Sequence, residues 1–202
     1  SRIYCTSSNT LLNLRPILSW IFYMQIEVNG SLRNSRVLFS DSAIKTRVIE
    51  LAHQINAEYG KQETLSVLIV LNGALLFAAD LIRHLAMPTE VETVRIKSYE
   101  GVKSSGRIDL LTELPSFKNQ HVLLIEDIVD TGRSIAFLRE KIIKQASAKS
   151  LKICSFLNKP ESHELPLSLE YVGFNIGKNF VIGYGLDLDG KYRNLPFVAE
   201  II

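Results

Sequence analysis

Residues 122 to 134, Val-Leu-Leu-Ile-Glu-Asp-Ile-Val-Asp-Thr-Gly-Arg-Ser, constrain this chain more than any other stretch. Val122 to Ile125 is a short apolar run rich in β-branched residues, the pattern of a strand covered on both faces. Glu126, Asp127 and Asp130 follow at once, and Asp130-Thr131-Gly132-Arg133-Ser134 leads into a helical pattern with Ile135, Leu138 and Ile142 on one face. A strand that ends in acids, then a small-residue turn that opens a helix, suits a phosphorylated sugar. The helix N-terminus and free backbone N–H groups hold phosphate, and the acids hold hydroxyls or a cation.

The neighbouring segments repeat this grammar. Ser40-Asp41 predicts a cap for a helix whose stripe is Ile44, Val48, Leu51 and Ile55. Val67 to Leu71 reads as a buried strand, which Asn72-Gly73 turns into a helix with Leu75, Ala79, Ile82 and Ala86 on its apolar side and Pro88 beyond its end. Val94 and Ile96 alternate with polar neighbours in a strand ending near Ser98-Tyr99, and residues 101 to 107 form a polar, glycine-bounded loop. A further strand spans 151 to 157. This order predicts an α/β fold with a doubly wound, mostly parallel sheet, in which ligands bind at the carboxyl ends of the strands. Asn72-Gly73, Ser98-Tyr99 and Glu126 to Ser134 all fall at such ends. Residues 158 to 202 hold short strand candidates (171 to 175, 180 to 184) broken by glycines. With part of the N-terminal region they predict a small hood over the sheet edge, within a single domain of residues 24 to 202.

Composition narrows the function classes. The chain has 202 residues, 47% hydrophobic and 22% charged, as a globular domain has. A net charge of +2, from 23 basic and 21 acidic residues, gives no electrostatic case for nucleic acid as partner. Of the two cysteines, Cys5 and Cys154, the second lies in an apolar strand pattern and reads as a reduced core thiol. His53, His84, His121 and His163 show no ligand spacing. Residues 1 to 23 look foreign to the rest. They are either an extension ahead of a natural start at Met24 or a native helix or strand that packs on a partner. Residues 17 to 24 are mostly apolar but follow Arg15-Pro16 and fall short of the about 20 apolar residues of a membrane span. No small-residue cleavage site marks a secretory signal, so cytoplasmic residence is expected.

These residues resemble a known family, the type I phosphoribosyltransferases. The acidic strand and turn are similar to its phosphoribosyl-pyrophosphate signature. Leu71-Asn72-Gly73, Lys97-Ser98-Tyr99, Lys159, Val172-Gly173-Phe174, the run Phe180 to Asp187 and Tyr192-Arg193-Asn194-Leu195 recur in order and resemble its 6-oxopurine branch. The resemblance covers about residues 36 to 202. It implies transfer of ribose 5-phosphate from phosphoribosyl pyrophosphate to N9 of hypoxanthine or guanine, with Mg²⁺ and loss of pyrophosphate, in a homodimer or homotetramer.

The resemblance also implies roles. Glu126 and Asp127 take the ribose hydroxyls, directly or through the metal, to which Asp187 adds a bound water while its main chain binds the purine near the exocyclic group at C2. Asp130 serves as acid or base near N7 of the purine, or caps the following helix, or both. Thr131, Gly132, Arg133 and Ser134 bind the 5′-phosphate, with the Arg133 side chain variable in the family. Leu71-Asn72-Gly73 forms a pyrophosphate loop carrying a non-proline cis peptide, and Arg193 pairs with pyrophosphate. Many relatives have lysine where this chain has Asn72. Ser98 and Tyr99 begin a loop that closes on the site. Lys159 reads the purine O6 or N7, since an ammonium only donates and adenine offers a donor at position 6. Phe180 stacks on the base, while the backbone of Val181 meets its polar edge. A nucleotide-sensing regulator on the same fold is the alternative of another class, and a transferase for xanthine the alternative within the class.

Overall fold

A computed structural model describes residues 23–28, 30–60, 64–98 and 107–202. β1 (Tyr23–Val28) and β2 (Ser31–Phe39) form an antiparallel hairpin. α1 (Asp41–Tyr59) starts on Ser40, whose Oγ accepts a hydrogen bond from the Ala43 N–H at 3.2 Å and satisfies a donor that the helix leaves unpaired. Its buried stripe is Ile44, Val48, Leu51 and Ile55, as the periodicity predicts. Then come β3 (Leu65–Leu71), α2 (Leu75–Ile82), β4 (Thr89–Ser98), β5 (Ile108–Leu110), β6 (His121–Val129), α3 (Arg133–Glu140), β7 (Ser150–Asn158) and β8 (Tyr171–Asn175).

β3 to β8 build a six-stranded sheet in the order β5-β4-β3-β6-β7-β8. Every neighbouring pair is parallel except β4 with β5. β4 and β6 flank β3 on opposite sides, so the strand order reverses there and a crevice opens at the carboxyl ends. The strands alternate between two cores. Val67, Ile69, Leu123, Ile125 and Phe156 pack beneath α1 and α2, while Leu68, Val70, Val122, Leu124 and Ile153 pack against Ile135, Leu138 and Ile142 of α3 and its continuation. β9 (Val181–Ile182) and β10 (Val198–Ile201) join the hairpin in a second, antiparallel sheet, ordered β1-β2-β10-β9. The hood therefore takes strands from both the N-terminal region and residues 158 to 202.

Two expectations need correction. The face of α2 that is buried is Phe77, Ala78 and Leu81, with Ala74 just ahead of the helix, whereas Leu75 is 49% exposed and Ala79 lies outside. The helix also stops at Ile82, short of Ala86. Nearly every side of this helix is apolar, so spacing alone does not select a face, and the ring of Phe77 buries more area than a leucine. The strand expected over 180 to 184 shrinks to two residues, because the backbone turns at Gly183, Tyr184 and Gly185, all at positive φ. Cys154 is a free, buried thiol in β7 and burial pushes its pKa up. Cys5 lies outside the described residues.

Candidate functional site

Four strands of the large sheet end on one edge. β3 delivers Leu71, β4 Ser98, β6 the acids Glu126 and Asp127, and β7 Asn158 followed by Lys159. Parallel registry fixes their relative height: Ile69 pairs with Ile125, and Val129 with Asn158. The sequence-predicted residues 71–73, 126–134 and 159 therefore share one crevice. Tyr99 lies outside the described residues, as does loop 101–106.

The Leu71–Asn72 peptide is cis, as the resemblance implies. Gly73 is buried directly against β6: a Cβ added there would overlap the Asp127 carboxylate. Gly185 in turn lies on Gly73, since a Cβ at Gly185 would strike the Gly73 carbonyl oxygen. Strand-end acid, turn and hood thus stack with no room for a side chain between them. Asn72 itself is exposed.

Glu126 is only 6% exposed and its neighbour Asp127 is partly exposed. Burial, then the adjacent Asp127 charge, hold the Glu126 carboxyl well above the usual carboxylate range. Burial also raises Asp127, against hydrogen bonds from Glu126 and the Ile128 N–H and the positive charge of Arg193. Two adjoining acids that resist joint ionisation retain a proton or attract a cation. That donor set fits a divalent ion whose remaining ligands come from a substrate. Among the described residues no three His, Cys, Asp or Glu side chains gather into a cage. Asp187 in particular is engaged elsewhere: its Oδ1 pairs with Arg193 Nη2 at 2.6 Å and its Oδ2 accepts from the Gly190 N–H at 2.7 Å. Arg193 Nη1 donates to the Gly185 carbonyl at 2.6 Å.

Beyond β6, Asp130 does not cap α3. The N-cap is Gly132, at φ +83°, a conformation a Cβ disfavours, and Leu167 fills the space a side chain would need. The Thr131 hydroxyl accepts from the Arg133 N–H at 3.4 Å and Ser134 opens the first turn. The Arg133 guanidinium leaves the turn to pair with Glu164, at 2.6 Å from Nε and 2.5 Å from Nη2. The carboxylate of Asp130, half exposed, receives Lys159 Nζ at 2.9 Å. Lys159 is 7% exposed, its own N–H donates to the Val129 carbonyl at 2.9 Å, and the Lys178 carbonyl lies 3.5 Å from its Nζ. Phe180, whose neighbour but one Lys178 supplies that carbonyl, is 51% exposed, while Val181 is buried in β9. A buried ammonium, an acid and an open aromatic face can together take a flat, hydrogen-bonding heterocycle.

The sequence did not single out Tyr184 or Asp80. The Tyr184 hydroxyl donates to Asp80 Oδ2 at 2.7 Å, joining the hood to α2, and burial with this bond pushes the phenol pKa up. The only local signal is the Gly183-Tyr184-Gly185 run, which marks a tight turn but names no partner.

A family model described as the phosphoribosyl transferase domain matches residues 38–189. The hypoxanthine-guanine phosphoribosyltransferase of Streptococcus thermophilus (strain CNRZ 1066) is 38% identical over 168 residues, covering 82% of this chain and 92% of that protein. The enzyme of the same name from Bacillus subtilis (strain 168) is 38% identical over 169 residues, with the same coverage. Among solved structures, a hypoxanthine-guanine phosphoribosyltransferase from Bacillus anthracis with a HEPES molecule in its active site superposes with a TM-score of 0.77 at 37% identity, covering 82% of this chain and 98% of that one.

Proposed function

Since the chain belongs to the phosphoribosyltransferase family, we propose that it makes purine nucleotides, moving ribose 5-phosphate from phosphoribosyl pyrophosphate to N9 of hypoxanthine or guanine. The observation that carries this reading is the placement of two unlike acid sites on one strand end. Buried Glu126 and partly exposed Asp127 stand side by side, and Asp130, a few residues on, is paired with a lysine. The first site suits a diol and a cation; the second suits a base that must be gripped and deprotonated.

The reaction cleaves the bond from C1′ to pyrophosphate and forms one from C1′ to N9 through an oxocarbenium-like state. Thr131, Gly132 and Ser134 receive the 5′-phosphate at the start of α3. Glu126 and Asp127 hold the ribose hydroxyls and would hold Mg²⁺, which supplies charge neutralisation to the leaving group. Gly73 and the backbone of Asn72 face the pyrophosphate, and Arg193, whose fork suits two oxygens, turns from Asp187 to the pyrophosphate oxygens. Lys159 donates to O6 or N7 of the base, which leaves Asp130 free of its present partner and able to accept the purine proton. Phe180 covers the ring face and the Val181 backbone meets the edge. Adenine presents an amino group to the same ammonium and is refused.

The assay is direct. Protein, Mg²⁺ and phosphoribosyl pyrophosphate are mixed with hypoxanthine, guanine, xanthine or adenine, and nucleotide formation is followed by absorbance. The expected result is turnover with the first two bases; no nucleotide from any of them sinks the reading. No helix among the described residues is long and apolar enough to cross a membrane, and the cytoplasm is the proposed site of reaction. A homodimer or homotetramer is also proposed. The exposed Leu75 and Leu76, next to the pyrophosphate turn, give a second copy apolar surface to cover.

A further inference from the structure

We propose that Glu200 is a positioning residue for the purine, holding the segment Lys178 to Phe180 as the outer wall of the base pocket; the inference rests on the transferase reading above. Glu200 sits in β10 and is only 5% exposed, although it touches none of the groups assigned to chemistry. A carboxylate in such a place is costly unless both oxygens are matched. Both are: Oε1 pairs with the Arg36 guanidinium from β2, and Oε2 accepts from Asn179 Nδ2 at 2.8 Å. Arg36 fixes the acid, and the acid fixes Asn179. The next residue of the same strand completes the grip, since the Ile201 N–H donates to the Phe180 carbonyl at 2.9 Å.

What this grip holds is the base-reading end of the site. The Lys178 carbonyl lies 3.5 Å from Lys159 Nζ, and Phe180, two residues on, is 51% exposed and carries the ring assigned to stacking. Lys178, Asn179 and Phe180 are all exposed. Packing alone therefore fixes these residues poorly from the outside, and the hydrogen bonds from β10 set where ring and carbonyl stand. Stacking depends on ring placement, and a segment free to swing must be ordered each time a base binds.

The test uses the full chain and the variants Asn179→Ala, Glu200→Leu and Glu200→Gln. Steady-state kinetics are measured with each substrate varied in turn. Asn179→Ala and Glu200→Leu are expected to raise KM for hypoxanthine and guanine about tenfold, the worth of one lost tie, and to leave KM for phosphoribosyl pyrophosphate within about twofold. Glu200→Gln keeps an acceptor for Asn179 and should recover most of the loss. Asn179 is exposed, so water can replace its amide on Glu200 Oε2 and the variant should hold the thermal midpoint close to that of the parent. A merely structural role for Glu200 would move that midpoint and both KM values together, and this result overturns the proposal. So does an unchanged base KM in Asn179→Ala, which alone decides the matter if Glu200→Leu does not fold. A parent chain that turns over no purine fails the transferase reading itself, and the clamp falls with it; an active parent with insensitive variants fails the clamp alone.

Discussion

Lys159 and Asp130 neutralise each other across 2.9 Å, with the lysine almost wholly enclosed. Removing either leaves the other without its partner, so the variants should differ in kind and not only in degree. Asp130→Asn keeps the size and one acceptor but cannot take a proton. It should lower kcat by about a hundredfold while phosphoribosyl pyrophosphate still binds, as calorimetry beside turnover would show. Lys159→Ala removes the donor proposed to separate oxopurines from adenine; the preference, measured as a ratio of kcat/KM, should narrow by at least about tenfold. Gly73→Ala places a methyl group into the Asp127 carboxylate and should abolish uptake of the sugar donor while the far-UV circular dichroism spectrum is retained.

The elements show what a linear reading can reach. The strands of the large sheet were legible because each is an apolar run sealed by a turn, and α1 and α3 because one stripe is apolar and the rest is not. The acid cluster, its turn and the Asn72-Gly73 turn were legible as a shared edge because parallel strands carry their carboxyl ends to the same side, whereas Lys159, a single lysine before Pro160, was legible only through the family resemblance. The buried face of α2 was not legible, since Leu75, Leu76, Phe77 and Ala78 offer apolar groups in several directions. Contacts between distant segments were equally hidden: Leu167 filling the space over Gly132, Glu164 drawing Arg133 from the turn, and Tyr184 reaching Asp80 have no local signature. The last of these bonds joins hood to helix just behind the Gly73–Gly185 contact. Tyr184→Phe should lower unfolding free energy by about 1 kcal/mol in urea titration, and Asp80→Asn, which retains an acceptor, should lose less.

Across the whole molecule the buried acids set a pH dependence opposite to that of a surface ion pair. Glu126 and Asp127 have native pKa values above those of the unfolded chain. Between the two, the folded state binds more protons than the unfolded one. Stability is therefore full below the unfolded value and is lost as pH rises through the native one. The thermal midpoint of the ligand-free protein should fall over that interval more steeply than that of Glu126→Gln. Adding Mg²⁺ with phosphoribosyl pyrophosphate should flatten the slope, since bound positive charge favours the ionised pair. Finally, β10 is hydrogen-bonded on one side to β2 and on the other to β9. A ribosome that stalled before Val198 would release a polypeptide with every acid of the crevice in place and no keystone for its roof. Such a product would keep the acids beside the turn yet handle purines badly, so a late frameshift would strike the proposed base site before the sugar site.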